Sequence, residues 1–360
     1  MATPRDNRFA VPSGGSIYAG KAPPAPMPAW WVAAPVGQYV DIPGSAHSGI
    51  AGLNPNAFSG LALRPGDSLL IDLASGGHSD GASNACAAVG LRAEVPAWAA
   101  RKASTWDGAE INLLYYADGT PASRHTYAFT HYIPSLDAVL LAGCRFAYGN
   151  ATPTGRGMDL FSLAANDYLP RDTFPDIPAG SGYGVAQDGA GNIWTQTGHK
   201  FDIASRTWSK PGSGALLRYP AAYDSLRDRI FALQWEDGEG SATYGLQAVE
   251  LNPATGNSRT ITFNAGAALA QLIADAPAYA GMTYSALTGK FYFAHPGRIR
   301  SLYVVTPNAS AVWDMDVITP GGAAFAGSGL LCNRVHFVPA LKGLVLQHDQ
   351  AAPLKFVRLA

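Results

Sequence analysis

Two short stretches hold residue types able to bind a polar ligand or move a proton. Gly76-Gly77-His78-Ser79-Asp80-Gly81 sets an imidazole two positions from a carboxylate inside a glycine-rich turn. Glycine admits left-handed backbone and close approach of a ligand to the main chain, and histidine changes charge near neutral pH. His78 and Asp80 therefore form a candidate site; the same pair could instead bond loop backbone and tie neighbouring segments together. The second stretch is Arg124-His125-Thr126-Tyr127, where the planar guanidinium fork suits a carboxylate or a sugar.

Other constellations carry less chemistry. His125 and His131 lie six residues apart on one expected strand, hence on one face. No His-x-His or Cys-x-x-Cys accompanies them, so no metal is expected. No nucleophile elbow, phosphate loop or dinucleotide fingerprint occurs, so no catalytic residue and no cofactor is assigned. Glu236, Asp237 and Glu239 sit in a turn of polar residues and read as a solvated loop. Trp30, Trp31, Trp98 and Trp106, with Tyr115, Tyr116 and Tyr148, fall outside the expected strand pairs. Exposed, they would stack on sugar faces or anchor a protein interface; the alternative is that they pack against the body of the protein.

Composition narrows the classes. Charged residues make up 14% of the 360-residue chain, against 40 Gly and 26 Pro, a balance that short strands and many turns produce. The net charge is −1 and no Lys/Arg run stands out, so no nucleic-acid partner is expected. The polar start MATPRDNRFA has no apolar core of a secretory signal, and no stretch approaches the ~18 apolar residues of a membrane span. Cys86, Cys144 and Cys332 are far apart and odd in number, which suggests small buried thiols and synthesis in a cytoplasm.

The elements that must position these residues follow from one recurring pattern. Residues 126–143, TYAFTHYIPSLDAVLLAG, read as two antiparallel strands about a Pro-Ser-Leu-Asp turn. Versions recur at 59–76, 182–198, 220–234, 280–295 and 333–349, with turns on average about 55 residues apart, near the ~40–50 of WD40 and kelch blades. A second strand pair follows each of the first five: clear at 199–210 and 247–261, looser at 302–316 and 158–172, poor near Val89–Val95. The sixth unit has only Lys355–Leu359 after its hairpin. It is one strand short, and Tyr39–Ile42 could supply the missing edge. The expected fold is all-β, a six-bladed propeller over 37–360. Residues 1–36, with KAPPAPMPAWWVAAP, form an extended, Pro-rich N-terminal arm, either a disordered tail or a docking arm that orders on a partner. The best helix is Ala265–Ile273, and the longest irregular pieces are 92–122 and 145–158. Inner strands of a propeller start near its central channel. That would gather Arg124, His125, Tyr183, Arg218, Tyr279, Asn333 and Arg334 at the channel mouth, either as a carboxylate- or sugar-binding ring or as a solvated rim whose groups satisfy one another.

The hairpins, the FDIASRTW-type turn, the Gly-Gly-His-Ser-Asp stretch and Arg124–Tyr127 resemble the kelch and galactose-oxidase-like β-propeller superfamily. Within it, they resemble kelch-like proteins met in bacterial and bacteriophage genomes, which pair a Gly-Gly-His-x-Asp turn with a later Arg-His-Thr-Tyr stretch. The resemblance spans roughly residues 40–360, although the double glycine occurs only in the first blade. The superfamily's copper-radical oxidases need a Cys–Tyr crosslink, and none of the three cysteines sits in a recognisable version of that site. Taken with the residues, the resemblance implies a non-enzymatic structural or binding protein, such as a bacteriophage tail, fibre or decoration component. Such a protein would meet other virion proteins, or further copies of itself, through residues 1–36. The alternatives are a lectin-like carbohydrate-binding module using the four tryptophans, and a mutarotase- or oxidase-like enzyme on a sugar or sugar acid, with His78, Asp80, Arg124 and His125 as its polar site.

Overall fold

The hairpin built on Pro134-Ser135-Leu136-Asp137 forms as its spacing requires. Thr130–Ile133 pairs antiparallel with Ala138–Ala142 across a 3-10 turn, and Asp137 closes the turn in the left-handed region (φ 43). Every other hairpin turn repeats that device: Ser68, Gly191, Asp228, Gly289 and Lys342 also have positive φ. Only glycine adopts this conformation freely, so the four side-chain-bearing residues held there, Ser68, Asp137, Asp228 and Lys342, mark a turn geometry that the flanking strands impose. The computed structural model describes residues 26–56, 59–76, 81–106, 114–142, 144–145, 157–179, 184–216, 220–235, 246–275, 279–325 and 331–360.

Six sheets of at least four antiparallel strands follow one another along the chain. Blade 1 is Ala62–Arg64, Leu69–Leu73, Cys86–Gly90 and Ala99–Lys102. Blade 2 is Thr130–Ile133, Ala138–Ala142, Met158–Ser162 and Asp167–Tyr168. Blade 3 is Gly184–Gln187, Ile193–Thr195, Lys200–Asp202 and Thr207–Ser209. Blade 4 is Ala221–Asp224, Arg229–Trp235, Leu246–Asn252 and Asn257–Thr260. Blade 5 is Gly281–Ser285, Lys290–Ala294, Leu302–Thr306 and Val312–Ile318, with Thr262–Phe263 added parallel at its outer edge. The third and fourth strands of blade 1 bracket the expected Val89–Val95 turn, and Ala99–Lys102 lies inside the stretch expected to be irregular. The helix runs over Ala267–Asp275, slightly later than expected.

Blade 6 closes the ring. Val335–Val338, Gly343–Leu346 and Lys355–Arg358 come from the C-terminal end, and Gln38–Asp41 pairs antiparallel with the last of them in the register Tyr39↔Val357, Val40↔Phe356, Asp41↔Lys355. The free edge that a three-strand blade would leave is thereby covered, and Lys355 forms an ion pair with Asp41.

Packing follows from the ring. Strands covered on both faces are apolar at successive positions, as in the AVLLA run of Ala138–Ala142, buried throughout. The core is split into apolar layers, one between each pair of neighbouring blades. Leu70 and Val89 meet Val345 and Phe356 between blades 1 and 6, while Ile71 and Ala88 meet Val139 and Leu141 between blades 1 and 2. Aromatic contacts dominate between blades 4 and 5, where Phe231 meets Phe291 at 4.9 Å and Trp313 at 5.0 Å with tilted rings.

The described part of the N-terminal arm departs from an extended chain. Ala29–Ala33 is one helical turn after Pro28, and Ala34 returns to extended geometry before Pro35. The five residues AWWVA contain no proline, and alanine is a strong helix former; the residue before a proline is pushed out of the helical region, which ends the turn. The turn lies on the seam between blades 6 and 1. Trp30 packs edge-on to Phe356 and donates to the Ala93 carbonyl (3.1 Å), and Trp31 donates to the Leu341 carbonyl (2.6 Å).

Candidate functional site

The inner strands of all six blades line a central cavity of about 240 Å³. Two imidazoles face it, His131 from blade 2 and His336 from blade 6. Burial pushes both down to about 4, and His336 lowers His131 further, so each is neutral at pH 7. They occupy equivalent places, three residues before the proline of the turns Pro134–Leu136 and Pro339–Leu341. The sequence contains the signal that pairs them, HYIPSLD beside HFVPALK.

At the mouth, one amide joins three blades. Asn333 donates to the carbonyls of Leu61 (3.1 Å) and Thr130 (2.9 Å), and its own carbonyl lies 3.1 Å from Nε2 of His336. The approach needs a glycine: a Cβ on Gly60 would stand 2.4 Å from the Tyr127 carbonyl oxygen and 2.8 Å from Cβ of Asn333. Tyr127 and Tyr279 stack above it (6.5 Å, 14°) with Cys332 and Ala128 against them. Tyr127, Tyr279 and Cys332 all have positive φ (46, 57 and 21), so three bulky or thiol-bearing residues hold a sparsely populated conformation in one place. Leu331 and Cys332 both donate N–H to the Tyr279 carbonyl (2.9 and 3.0 Å), which fixes that cap.

The two described arginines of the expected ring do not face the channel as free cations. Arg124 is buried, with Nη2 2.6 Å from Asp159 and Nη1 donating to the Gly157 carbonyl (2.8 Å). Asp159 also accepts from the Tyr115 hydroxyl (3.3 Å). This guanidinium binds the first residues of blade 2 to its third strand. His125 and His131 do not share a strand either. The chain turns at Thr126–Phe129, where the Phe129 N–H meets the Thr126 carbonyl at 2.6 Å. His125 falls on a separate two-residue strand, Arg124–His125, paired with Cys144–Arg145. It lies edge-on to Tyr127 at 5.6 Å.

Arg334 is also fully buried, yet its one hydrogen bond is to Oδ1 of Asn56 (3.2 Å), and its Nε and Nη2 have no partner. Burial pulls its pKa down to about 10, with Cys332, Asp72 and Asp349 acting against the fall. Asp72 is held elsewhere, 3.0 Å from His47 and 2.8 Å from the Ser75 hydroxyl. His78, Asp80, Tyr183 and Arg218 lie outside the described residues.

The tryptophans divide. Trp98 is 8% exposed and donates to the Ser45 carbonyl (3.0 Å), so it has no face open to stack on a sugar. Trp30 and Trp31 are half-buried on the seam, with the Arg358 guanidinium 4.0 Å from the Trp31 ring centre. Trp106 is 36% exposed. Cys86 and Cys332 are buried and carry no disulfide. Among the described residues no three His, Cys, Asp or Glu side chains converge to hold a metal, and no helix is long and apolar enough to cross a membrane.

No protein-family model matches the chain, and no curated protein matches its sequence. Among solved structures it is similar to a chain of the mitotic checkpoint complex, at 11% identity over 99% of each chain with a TM-score of 0.42. It is also similar to the α-L-arabinanase of Penicillium chrysogenum complexed with arabinobiose, at 9% identity over 89% of this chain and 97% of the other, with a TM-score of 0.47. The propeller architecture stands on the chain's own sheet order.

Proposed function

We propose that this chain is a non-catalytic structural or binding propeller that assembles with other proteins, or with copies of itself, through its N-terminal segment. The kelch-like resemblance suggests a bacteriophage virion as the setting. One observation carries the reading: residues 26–41 are fastened to the seam between blades 6 and 1, and the same segment supplies the strand that closes the ring. A load on residues 1–25 is thus delivered to the closing strand rather than to a loose tether. The seam also presents Val32, Val36 and Val95, each more than half exposed (64%, 57% and 65%), beside the Ala29 N–H that Glu94 accepts at 2.9 Å. Exposed apolar residues beside an anchored segment suit a protein partner. By contrast, Arg124 is engaged with Asp159 within blade 2 and Asn333 joins blades at the channel mouth, which removes two candidates for chemistry.

The test is the solution mass of the full chain beside that of a chain beginning at Pro26, together with the melting transition of each. A multimer that becomes a monomer with an unchanged transition supports the proposal. Equal masses for the two overturn assembly through residues 1–25. The second reading is carbohydrate recognition. Trp106 favours it, because its ring is exposed while Trp98 is buried; saturable glycan binding lost in Trp106→Ala would support it.

A further inference from the structure

The apolar layer between blades 4 and 5 changes character along its length. On the second strand of blade 4, Leu233 and Phe231 pack against blade 5; two residues further toward the inner turn the same face carries Arg229. On the third strand, Ala248 is followed by Glu250 and Asn252. A crevice of about 460 Å³ opens here, closed on the far side by the blade 5 turn at Asn308–Ala309. That is within the ~300–1,000 Å³ of small-molecule sites, which are usually apolar; of this lining, only Ala309 is apolar.

Its charges do not balance. The buried carboxylates Asp224 and Glu250 are both ion-paired with arginine, although Oε1 of Glu250 has no aligned hydrogen bond. Asp224 takes Nε of Arg227 (2.6 Å) on one oxygen and the N–H groups of Leu226 and Arg227 (2.9 and 3.1 Å) on the other. Glu250 takes Nη1 of Arg227 (2.7 Å) and both Nε and Nη2 of Arg259 (2.7 and 2.6 Å). The third guanidinium, Arg229, meets no carboxylate among the described residues. Among the described residues it donates only through Nη1, to the carbonyls of Asp228 (2.6 Å) and Arg227 (3.3 Å), leaving Nε and Nη2. Nη2 of Arg227 is buried without a partner.

The neutral groups around the crevice are all turned the same way. Asn252 Oδ1 accepts from the Ala254 N–H (3.0 Å) and Asn257 Oδ1 from the Ser213 N–H (3.4 Å). Thr255 Oγ1 accepts from the Asn257 N–H and Ser258 Oγ from the Ala215 N–H, both at 3.3 Å. Each is occupied as an acceptor, and its own hydrogens meet no acceptor among the described residues. Apart from Glu250, whose charge is paired with Arg227 and Arg259, the lining is rich in donors and carries one uncompensated positive charge, which disfavours cations and suits an oxyanion. It is also rigid before any ligand arrives. Arg227 is held by the Asn308 carbonyl (3.2 Å) and lies over the Trp313 ring (4.9 Å), and Arg259 is held by the Ala309 carbonyl (2.9 Å).

We propose that the crevice between blades 4 and 5 binds an acidic sugar unit, its carboxylate or phosphate on Arg229 and its hydroxyl oxygens on Asn252, Asn257 and Ser258. The crevice has room well beyond a bare oxyanion, and amides and hydroxyls suit the polyol that carries one. The site is separate from the N-terminal seam and stands or falls independently of assembly.

The experiment titrates the full chain at low salt with glucuronate, glucose 6-phosphate and glucose, by calorimetry or ligand-observed NMR. Saturable binding of at least one acidic sugar, none of glucose, and weakening as the screening length falls from about 10 Å at 0.1 M to about 3 Å at 1 M salt are expected. Glucuronate alone identifies a carboxylate site, glucose 6-phosphate alone a phosphate site, and both a general oxyanion site. Arg229→Gln is expected to weaken binding by about tenfold or more. Asn257→Asp keeps the acceptor for Ser213 while adding a negative charge, so it should abolish binding with an unchanged melting transition; it decides the matter alone if Arg229→Gln fails to fold. Binding of neither acid, equal binding of glucose, or acid binding undiminished in either folded variant overturns the proposal.

Discussion

Replacing Arg334 by methionine is expected to stabilise the protein. The guanidinium is fully buried, reaches one side-chain oxygen on Asn56, and leaves Nε and Nη2 without partners. Isolated buried charge is among the costliest features a fold can carry. Burial draws its pKa down to about 10. At about 1.4 kcal/mol per pH unit, that fall from an arginine's usual value corresponds to a desolvation cost of roughly 3 kcal/mol. Methionine has similar length and no charge. The substitution gives up the Asn56 bond, worth about 1 kcal/mol, and Asn56 is not orphaned, because its Oδ1 also accepts the Gln350 N–H at 3.0 Å. The net expectation is a gain of about 2 kcal/mol, or roughly 3–6 °C in Tm for a large domain.

The assay is urea unfolding with the m-value monitored, since an unchanged m isolates stability from any change in the unfolded ensemble. Because the folded-state pKa lies below the unfolded one, the cost is present in full at every pH below about 10 and is relieved as pH rises through that value. The gain should therefore be flat across neutral pH. Arg334→Lys keeps the charge and loses the reach to Asn56, so it should be less stable than the native chain. If Arg334→Met instead destabilised by more than about 1 kcal/mol, the guanidinium would have to be holding groups beyond Asn56, and the reasoning would fail. A confirmed gain would mark Arg334 as a residue kept at a cost in stability, as residues that serve binding often are.

Two further outcomes follow from the channel. His131 and His336, both pushed down to about 4 by burial, bind protons less readily folded than unfolded; stability should be full above about pH 6.5 and decline as pH falls toward 4, and His131→Gln with His336→Gln should flatten that decline in urea melts across pH. Asn333→Leu removes two bonds to carbonyls of other blades and should cost about 2–4 kcal/mol; an unchanged unfolding midpoint would show that the amide does not join the blades.

The frame was legible because its signals are local. Alternation, a turn dipeptide and a second apolar run identify each hairpin within about 18 residues, and the missing edge of blade 6 pointed to the strand at its N-terminal end. What the side chains do was not local. Arg124 looked like the first residue of an inner strand, but the turn at Thr126–Phe129 delays that strand to Thr130, and its partner Asp159 lies on the third strand of the blade. Trp98 read as a loop aromatic; its indole is covered by His47 and the Ser45 carbonyl, contributed from outside the repeats. Prolines around 22–35 implied an extended arm and concealed the one proline-free stretch, Ala29–Ala34, that coils. His131 and His336 were within reach of the sequence, had the two Pro-initiated turns been aligned with each other.

The distribution of polar groups follows from the geometry of a ring. Inner strands converge on the axis, where a buried polar side chain is costly without a protein partner; Asn333 finds two carbonyls. Outer strands of neighbouring blades diverge, and the gap opened at their ends admits solvent, so an unpaired charge there costs little. Two described arginines separate these conditions, Arg334 and Arg229: neither has a carboxylate partner among the described residues, but one is fully buried and the other is on the wall of an open crevice. Neutralising Arg334 should therefore raise stability, while Arg229→Gln should leave stability unchanged and alter anion binding alone. Should Arg229→Gln shift the unfolding midpoint as far as Arg334→Met, burial would not be what distinguishes them, and the difference assigned to axis and periphery would be wrong.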